Sequence, residues 1–385
     1  MNKKIKREPF FTTIVPAYNE EKSIEKTLQS LVDLDYPSEK MEIIVVNDGS
    51  TDRTKEIVAG FMETNPARNI VLINQENRGK GNAMNNGLRK AKGEFFACLD
   101  ADSFVNPDAL GIMLPMFEDQ DVAAVCPLLK VKKPSSILGK VQWCEYIINM
   151  YYRYLNAKLH CIHVTPGPFS VYRTKIINDL GGYDETTITE DLEIAIRLQK
   201  HHYKILQTFD TIVETEAPKS WKTLFKQRVR WYKGAVDNTV RYRNLAFNKK
   251  YGDFGMVRMP TVVASGVISI ILVVAMLQSL IRKGYQLFLT LKDVNFDIIT
   301  LLKNYTFQFN ILKLPFFKIT IAITLMAISL FVMVYSFKLV KEKITNYGRT
   351  WLSLMTYLLV YGLFLTTVWI YIAYMLVAKK RNFWN

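Results

Sequence analysis

Cysteine and histidine are scarce in this chain of 385 residues, which holds four of each. Cys98, Cys126, Cys144 and Cys161 show neither close pairing nor metal-ligand spacing. That excludes a disulfide-stapled scaffold and a thiolate zinc site, and a reduced domain without disulfides is expected. His160, His163, His201 and His202 sit in surface or helix-flanking contexts and receive no role. No internal repeat or low-complexity segment is apparent. No signal peptide is expected either, because the apolar run at residues 10–15 is short and broken by Pro16. Acidic residues are the minority, 35 against 50 Lys and Arg, for a net charge of +15. Such a surplus can mark nucleic-acid binding, but membrane proteins also gather Lys and Arg in their cytoplasmic segments.

Charge itself is missing from three long stretches: residues 259–281, 319–337 and 350–378. A hydrocarbon core of roughly 30 Å needs about 20 helical residues, so each can span a bilayer. Three such runs in the last third of a chain argue against buried core helices. Arg241, Arg243, Lys249, Lys250 and Arg258 precede the first run. Lys338, Lys341, Lys343 and Arg349 crowd the link between the second and third. The positive-inside rule places both segments, and with them the N-terminal domain, in the cytoplasm of a multi-pass plasma-membrane protein. The link at 282–313 then faces outward, with a weak supporting sequon at Asn304-Tyr305-Thr306. An odd count of spans leaves Lys379-Lys380-Arg381 outside. The charge rule disfavours that, and a re-entrant segment at 285–291 is the alternative.

The first half alternates strand and helix patterns. Apolar β-rich runs at 10–15, 41–46, 70–73 and 95–99 alternate with helical stretches near 20–34, from 51 onward and at 79–90. Ser50 or Thr51 is the expected cap of the second helix. Continuous apolar strands between helices indicate a parallel sheet buried on both faces, and such sheets bind ligands at the carboxyl ends of their strands. Three strands end in polar sets there: Pro16-Ala17-Tyr18-Asn19-Glu20, residues 47–52, and Asp100-Ala101-Asp102. Two further stretches, 137–162 and 220–243, mix aromatics with basic residues. Such helices lie in the membrane interface, although the first may equally pack on the sheet as an ordinary helix.

Asp100 and Asp102 supply hard oxygen ligands suited to Mg2+ or Mn2+, which in turn hold a diphosphate. Two acids in a turn are more often a solvated loop. Their place at the end of an apolar strand, beside two other polar strand ends, favours the metal role.

The ordered set Val15-Pro16-Ala17-Tyr18-Asn19-Glu20, Asn47-Asp48-Gly49-Ser50-Thr51-Asp52, Asn77-Arg78-Gly79-Lys80-Gly81 and Asp100-Ala101-Asp102 resembles glycosyltransferase family 2. Thr189-Glu190-Asp191 and Gln227-Arg228-Val229-Arg230-Trp231 resemble the signatures of membrane synthases for cellulose, chitin, hyaluronan and poly-N-acetylglucosamine. The resemblance covers about residues 10 to 235. It implies an α/β fold of the GT-A type at 1–218; the basic, aromatic stretch and the apolar runs add an interfacial helix region at 219–257 and a membrane region at 258–385 with helices near 259–281, 314–337 and 350–378.

It also implies roles. Pro16, Ala17, Tyr18, Glu20 and Asp48 would hold uracil and ribose, with Lys80 near the nucleotide. Asp100 and Asp102 would carry diphosphate and metal, Glu190 would bind substrate, and Asp191 would be the general base. Gln227, Arg230 and Trp231 would bind diphosphate and acceptor, while Gly167 and Pro168 would line the acceptor pocket. Capping of the following helix is the competing reading for Asp191, and an interfacial helix meeting lipid phosphates is the one for 227–231.

The implied reaction is inverting transfer from a UDP-sugar to an acceptor hydroxyl, giving a β-linkage. The implied partners are the donor, a glycan or lipid acceptor and the bilayer, with no nucleic acid beyond the donor nucleotide; homo-oligomerisation is left open. A polysaccharide synthase is the preferred reading, with single-transfer glycolipid synthesis and polyprenyl-phosphate transfer as alternatives. A receptor or transporter that kept only the sugar-binding fold is disfavoured, because Asp48, Asp100, Asp102 and Asp191 are all present.

Overall fold

The computed structural model describes residues 7–299, 303, 315–348 and 350–378. Four strands, β1 (Phe11–Ala17), β2 (Met41–Asp48), β3 (Ile70–Gln75) and β4 (Phe95–Cys98), alternate with α1 (Ile24–Val32), α2 (Thr54–Thr64) and α3 (Lys80–Lys90). These strands pair in parallel in the order β3-β2-β1-β4. Side chains on β1 alternate between two cores: Phe11 and Val15 face α1 and α2, while Ile14 faces α3. Both faces are covered, so the strands are largely apolar, and the buried Thr12 hydroxyl donates to Glu42 Oε1 on the neighbouring strand. Helix α3 approaches closely because residue 87 is glycine. A Cβ there would meet Ile14 Cγ2 at 2.5 Å. Gly87→Ala should therefore lower stability by about 1–3 kcal/mol through overpacking, measurable by thermal unfolding in detergent.

The sheet then turns mixed. After β5 (Ser103–Val105), α4 (Ala109–Met113) and β6 (Val122–Val131) comes the long α5 (Ile137–Lys158), followed by β7 (Val171–Arg173), α6 (Thr174–Asp179), α7 (Glu190–Lys200) and β8 (Lys204–Thr215). β7 runs antiparallel to both β4 and β6, and the full order is β3-β2-β1-β4-β7-β6-β8-β5. Helix α8 (Trp221–Arg241) leads to three helices long and apolar enough to cross a membrane: α9 (Met259–Asp293), α10 (Phe316–Leu339) and α11 (Trp351–Val377). Large apolar side chains such as Leu272, Phe317 and Phe331 are exposed on α9 and α10. Water would penalise that surface, whereas lipid tails match it.

Helices α5 and α8 pack against the apolar C-terminal helices. Trp143 of α5 packs edge-on against Phe337 of α10, with ring centroids 5.0 Å apart, and α5 also covers β6. On α8, Trp221 meets Phe364 of α11 and Tyr232 stacks on Trp369 of α11. Sheet and membrane helices thus share cores.

Two local expectations change. Neither Ser50 nor Thr51 caps α2. The Ser50 hydroxyl accepts from the Asn19 N–H, and the Thr51 N–H donates to Asn19 Oδ1, so these residues tie the β1 end to the β2 end. Asp52 instead accepts from the Thr54 N–H at the helix start. Residues 285–291 are regular helix continuous with the first apolar run in α9, and Arg282 and Lys283 lie on the same helix. The sequon at Asn304, Arg349 and the tail from Lys379 lie outside the described residues. All four cysteines are buried and free.

Candidate active site

Asp100 and Asp102 follow β4 and flank its carboxyl end. Lys80, the first residue of α3, reaches Asp100 Oδ1 at 2.6 Å and Glu190 Oε1 at 3.0 Å. Burial alone would lower the Lys80 pKa. The two carboxylates outweigh it and hold the ammonium charged well above its usual range. One lysine does not neutralise this cluster. Asp102 is pushed up to about 7, first by burial and then by the charges of Asp100 and Glu20. Glu20 is also raised by burial, against a hydrogen bond from the Ser23 hydroxyl.

This crowding of carboxylate oxygens with too little positive charge is the chemistry a divalent cation relieves, so the residues fit such an ion. No cluster of three or more His, Cys, Asp or Glu side chains arranged for a metal occurs among the described residues. The aspartate pair would therefore supply only part of a shell, as suits a cation that also takes phosphate oxygens and water.

Asp191 is the second residue of α7, whose N-cap is Thr189 rather than Asp191. Its Oδ1 accepts from the Leu192 N–H at 2.9 Å. Its backbone carbonyl accepts from the N–H and hydroxyl of Thr165, which ties α7 to the turn at 165–170. Burial first and the Glu190 charge second push the Asp191 carboxyl up to about 6, against the pull of Lys80 and Arg230. Gly167 in that turn presses on the acidic cluster: a Cβ would lie 3.2 Å from both Asp100 Oδ2 and Lys80 Nζ. The turn therefore bridges the candidate metal ligands and Asp191.

Gln227, Arg230 and Trp231 fall at i, i+3 and i+4 on α8, one helical face. That face lines a cavity of about 650 Å³ together with Asp100, Asp102 and Asp191. Lys80, Gly167, Pro168 and Glu190 line it too. Gly234 makes the approach of α8 to α7 feasible, since a Cβ there would meet Thr189 Oγ1 at 2.3 Å. Gly234→Ala should separate the helices and cut kcat/KM at least tenfold, with a smaller loss of thermal stability, as steady-state kinetics and unfolding would show.

The remaining predicted residues sit apart from this cavity. Pro16, Ala17, Tyr18 and Glu20 form the β1 end, with Tyr18 49% exposed. Asp48 is buried and spends its carboxylate on the turn ahead of α3, accepting from the Arg78 and Gly79 N–H groups, both at 2.9 Å, and from Gln75. Its direct contacts thus organise the Lys80 loop.

Sequence reasoning missed Arg228. Between Gln227 and Trp231 on the helix, it is fully buried and does not line the cavity. It pairs with Glu145 of α5, donates to the Tyr361 hydroxyl of α11 at 3.2 Å and lies over the Trp231 ring. Its guanidinium also donates to Gln227 Oε1. Helical spacing puts it beside Trp231, three residues away; nothing local could have named Glu145 or Tyr361.

A family model, glycosyl transferase family 2, matches residues 12–181. The first half of the chain thus resembles a family 2 glycosyl transferase domain. Over 233 residues, 60% of its length, the protein is 35% identical to a poly-beta-1,6-N-acetyl-D-glucosamine synthase of Staphylococcus aureus. It is 34% identical over 231 residues to the Staphylococcus epidermidis synthase of that name. The chain spans about 55% of the length of these relatives. A mannosyltransferase from Pyrobaculum calidifontis, solved with GDP-Man and Mn2+, superposes with a TM-score of 0.56 at 23% identity, over 78% of this chain and 89% of that one. The protein thus has the GT-A fold, followed by helices apolar enough to span a membrane.

Proposed function

We propose that the protein is a membrane-bound inverting glycosyltransferase of the polysaccharide-synthase type, acting on a UDP-sugar and an acceptor hydroxyl to form a β-linkage. The observation that carries this reading is that Asp100, Asp102, Asp191 and the Gln227–Trp231 face share one cavity, which continues to Thr261 and Trp369 of the membrane helices. Resemblance to the staphylococcal synthases over the catalytic half supports the same class. In this reading residues 1–218 are the cytoplasmic catalytic domain, 219–257 the interfacial region and 258–385 the plasma-membrane part.

Asp191 takes the proton of the acceptor hydroxyl as that oxygen attacks the anomeric carbon. The bond to UDP breaks in the same step, and the configuration inverts. A raised pKa makes the carboxylate a better base than an exposed aspartate while leaving it ionised at neutral pH. Arg230 supplies charge-assisted hydrogen bonds to the departing diphosphate. Trp231 offers a flat surface to a pyranose ring. Asp100 and Asp102 would hold Mg2+ or Mn2+, which supplies electrostatic stabilisation to the leaving group when bound. The loop at Pro16–Glu20 would take the nucleotide.

A panel of UDP-sugars with Mg2+ or Mn2+, read by UDP release and followed by size and lipid-extraction analysis of the products, tests the reading. A ladder of long glycans is the expected result, and EDTA should abolish turnover. One lipid-extractable product would shift the reading to single transfer. No consumption of any UDP-sugar would overturn it.

A further inference from the structure

The membrane end of the cavity carries positive charge that the proposed transfer chemistry leaves without a task. Arg153 of α5, His163 and Arg258 all line it. Most charged groups in the protein's interior are paired: Arg228 has Glu145, Lys130 has Glu342 and Arg197 has Glu193. Arg153 and Arg258 differ. Among the described residues neither has a carboxylate within ion-pairing distance, and Arg153 Nη1 and Arg258 Nε are buried with no hydrogen-bond partner. Arg258 Nη2 lies 2.5 Å from His163 Nε2, a contact that requires the imidazole to accept and so to be neutral. Burial, then Arg258, then Arg153 holds the His163 pKa well below its ordinary value. Asp191 acts on Arg153 through charge alone, with no ion pair.

Unpaired guanidinium groups facing a cavity cost desolvation with no return unless an anion joins them. The place of this cluster indicates the anion. Arg258 immediately precedes α9, so the cations sit where a headgroup would lie if α9 enters the bilayer. The cavity wall beyond them is Val262 of α9 and Trp369 of α11, an apolar continuation that a lipid chain can follow. Guanidinium forks match the oxyanions of a phosphate in a way a neutral sugar does not.

We propose that Arg153 and Arg258 form a binding site for the phosphate of a membrane lipid entering the cavity from the bilayer side. This goes beyond the glycosyl-transfer reading and does not depend on it. The site's geometry leaves His163 as a neutral support that orients Arg258.

Native mass spectrometry of the full-length protein in neutral detergent, without donor or metal, tests the site separately from catalysis. Dioleoyl phosphatidic acid is compared with dioleoylglycerol, which has the same chains and no phosphate, and with inorganic phosphate. Phosphatidic acid should bind at least tenfold more tightly than dioleoylglycerol. Arg153→Gln and Arg258→Gln should each remove at least tenfold of that preference, Arg258→Lys should restore part of it, and Arg89→Gln, at an exposed position, should leave it unchanged. Equal binding of the two lipids, or preference unchanged in both arginine variants, overturns the proposal. So does inorganic phosphate binding as tightly as phosphatidic acid, which marks a free-phosphate site. If a variant fails to fold, the lipid comparison on the unaltered protein still decides. Loss of transfer with intact lipid preference would count against the transferase reading alone.

Discussion

Asp191→Asn is expected to reduce kcat by about a thousandfold while leaving folding and donor binding nearly intact. The substitution keeps the size of the side chain and its acceptor for the Leu192 N–H, and removes only the basicity. General-base contributions of about 10²–10⁴-fold set the scale. Unaltered protein should show an acidic limb in kcat/KM with an apparent pKa near 6, because burial and the Glu190 charge push Asp191 to about 6. The sign follows from the role: a base must be ionised, so activity rises with pH through that value and falls about tenfold per unit below it. A helix-starting aspartate without a catalytic role predicts otherwise, namely a modest loss of stability and an unchanged pH profile. Steady-state rates from pH 5 to 8 on both proteins separate the two.

Arg228→Met should destabilise the protein by about 3–5 kcal/mol, lowering its unfolding temperature by roughly 10 °C, because Glu145 is left as an uncompensated buried charge. Glu145→Gln should fall in the same direction. Replacing both, as Arg228→Met with Glu145→Met, should recover much of the loss, since a buried ion pair is worth little against apolar residues of similar size. Activity should not recover with it. Arg228 lies 4.2 Å from the Trp231 ring centroid, and its guanidinium also engages Gln227 and Tyr361. It therefore acts as a positioning residue. The double variant should regain thermal stability yet keep a depressed kcat/KM. Recovery of both would show that the pair serves the fold alone.

Much of the catalytic half was legible because its signals are local. Strands β1 to β4 read as largely apolar runs, since a parallel sheet covered on both faces favours apolar residues on both sides of each strand. Gln227, Arg230 and Trp231 could be placed on one face from their spacing alone. The three apolar runs of the last third matched α9, α10 and α11 in place, although α9 runs on past Ile281 to Asp293. Its Arg282 and Lys283 end the apolar stretch without ending the helix, because charge limits burial in lipid and not helical geometry. The mixed part of the sheet was not legible, since β7 is only three residues long and its partners lie far away in sequence.

By itself the sequence determined the order of strand, turn and acid that makes the β4 end carry Asp100 and Asp102, and the helical face that carries Gln227 to Trp231. Adjacent residues with fixed local periods suffice for that. Only the tertiary structure decided that these sets, with Asp191, meet in one cavity, and that Pro16 to Glu20 and Asp48 stand outside its walls. It alone paired Arg228 with Glu145, 83 residues away, and left Arg153 and Arg258 without partners. Charge compensation depends on distance through space and on burial, and neither is a property of neighbouring letters.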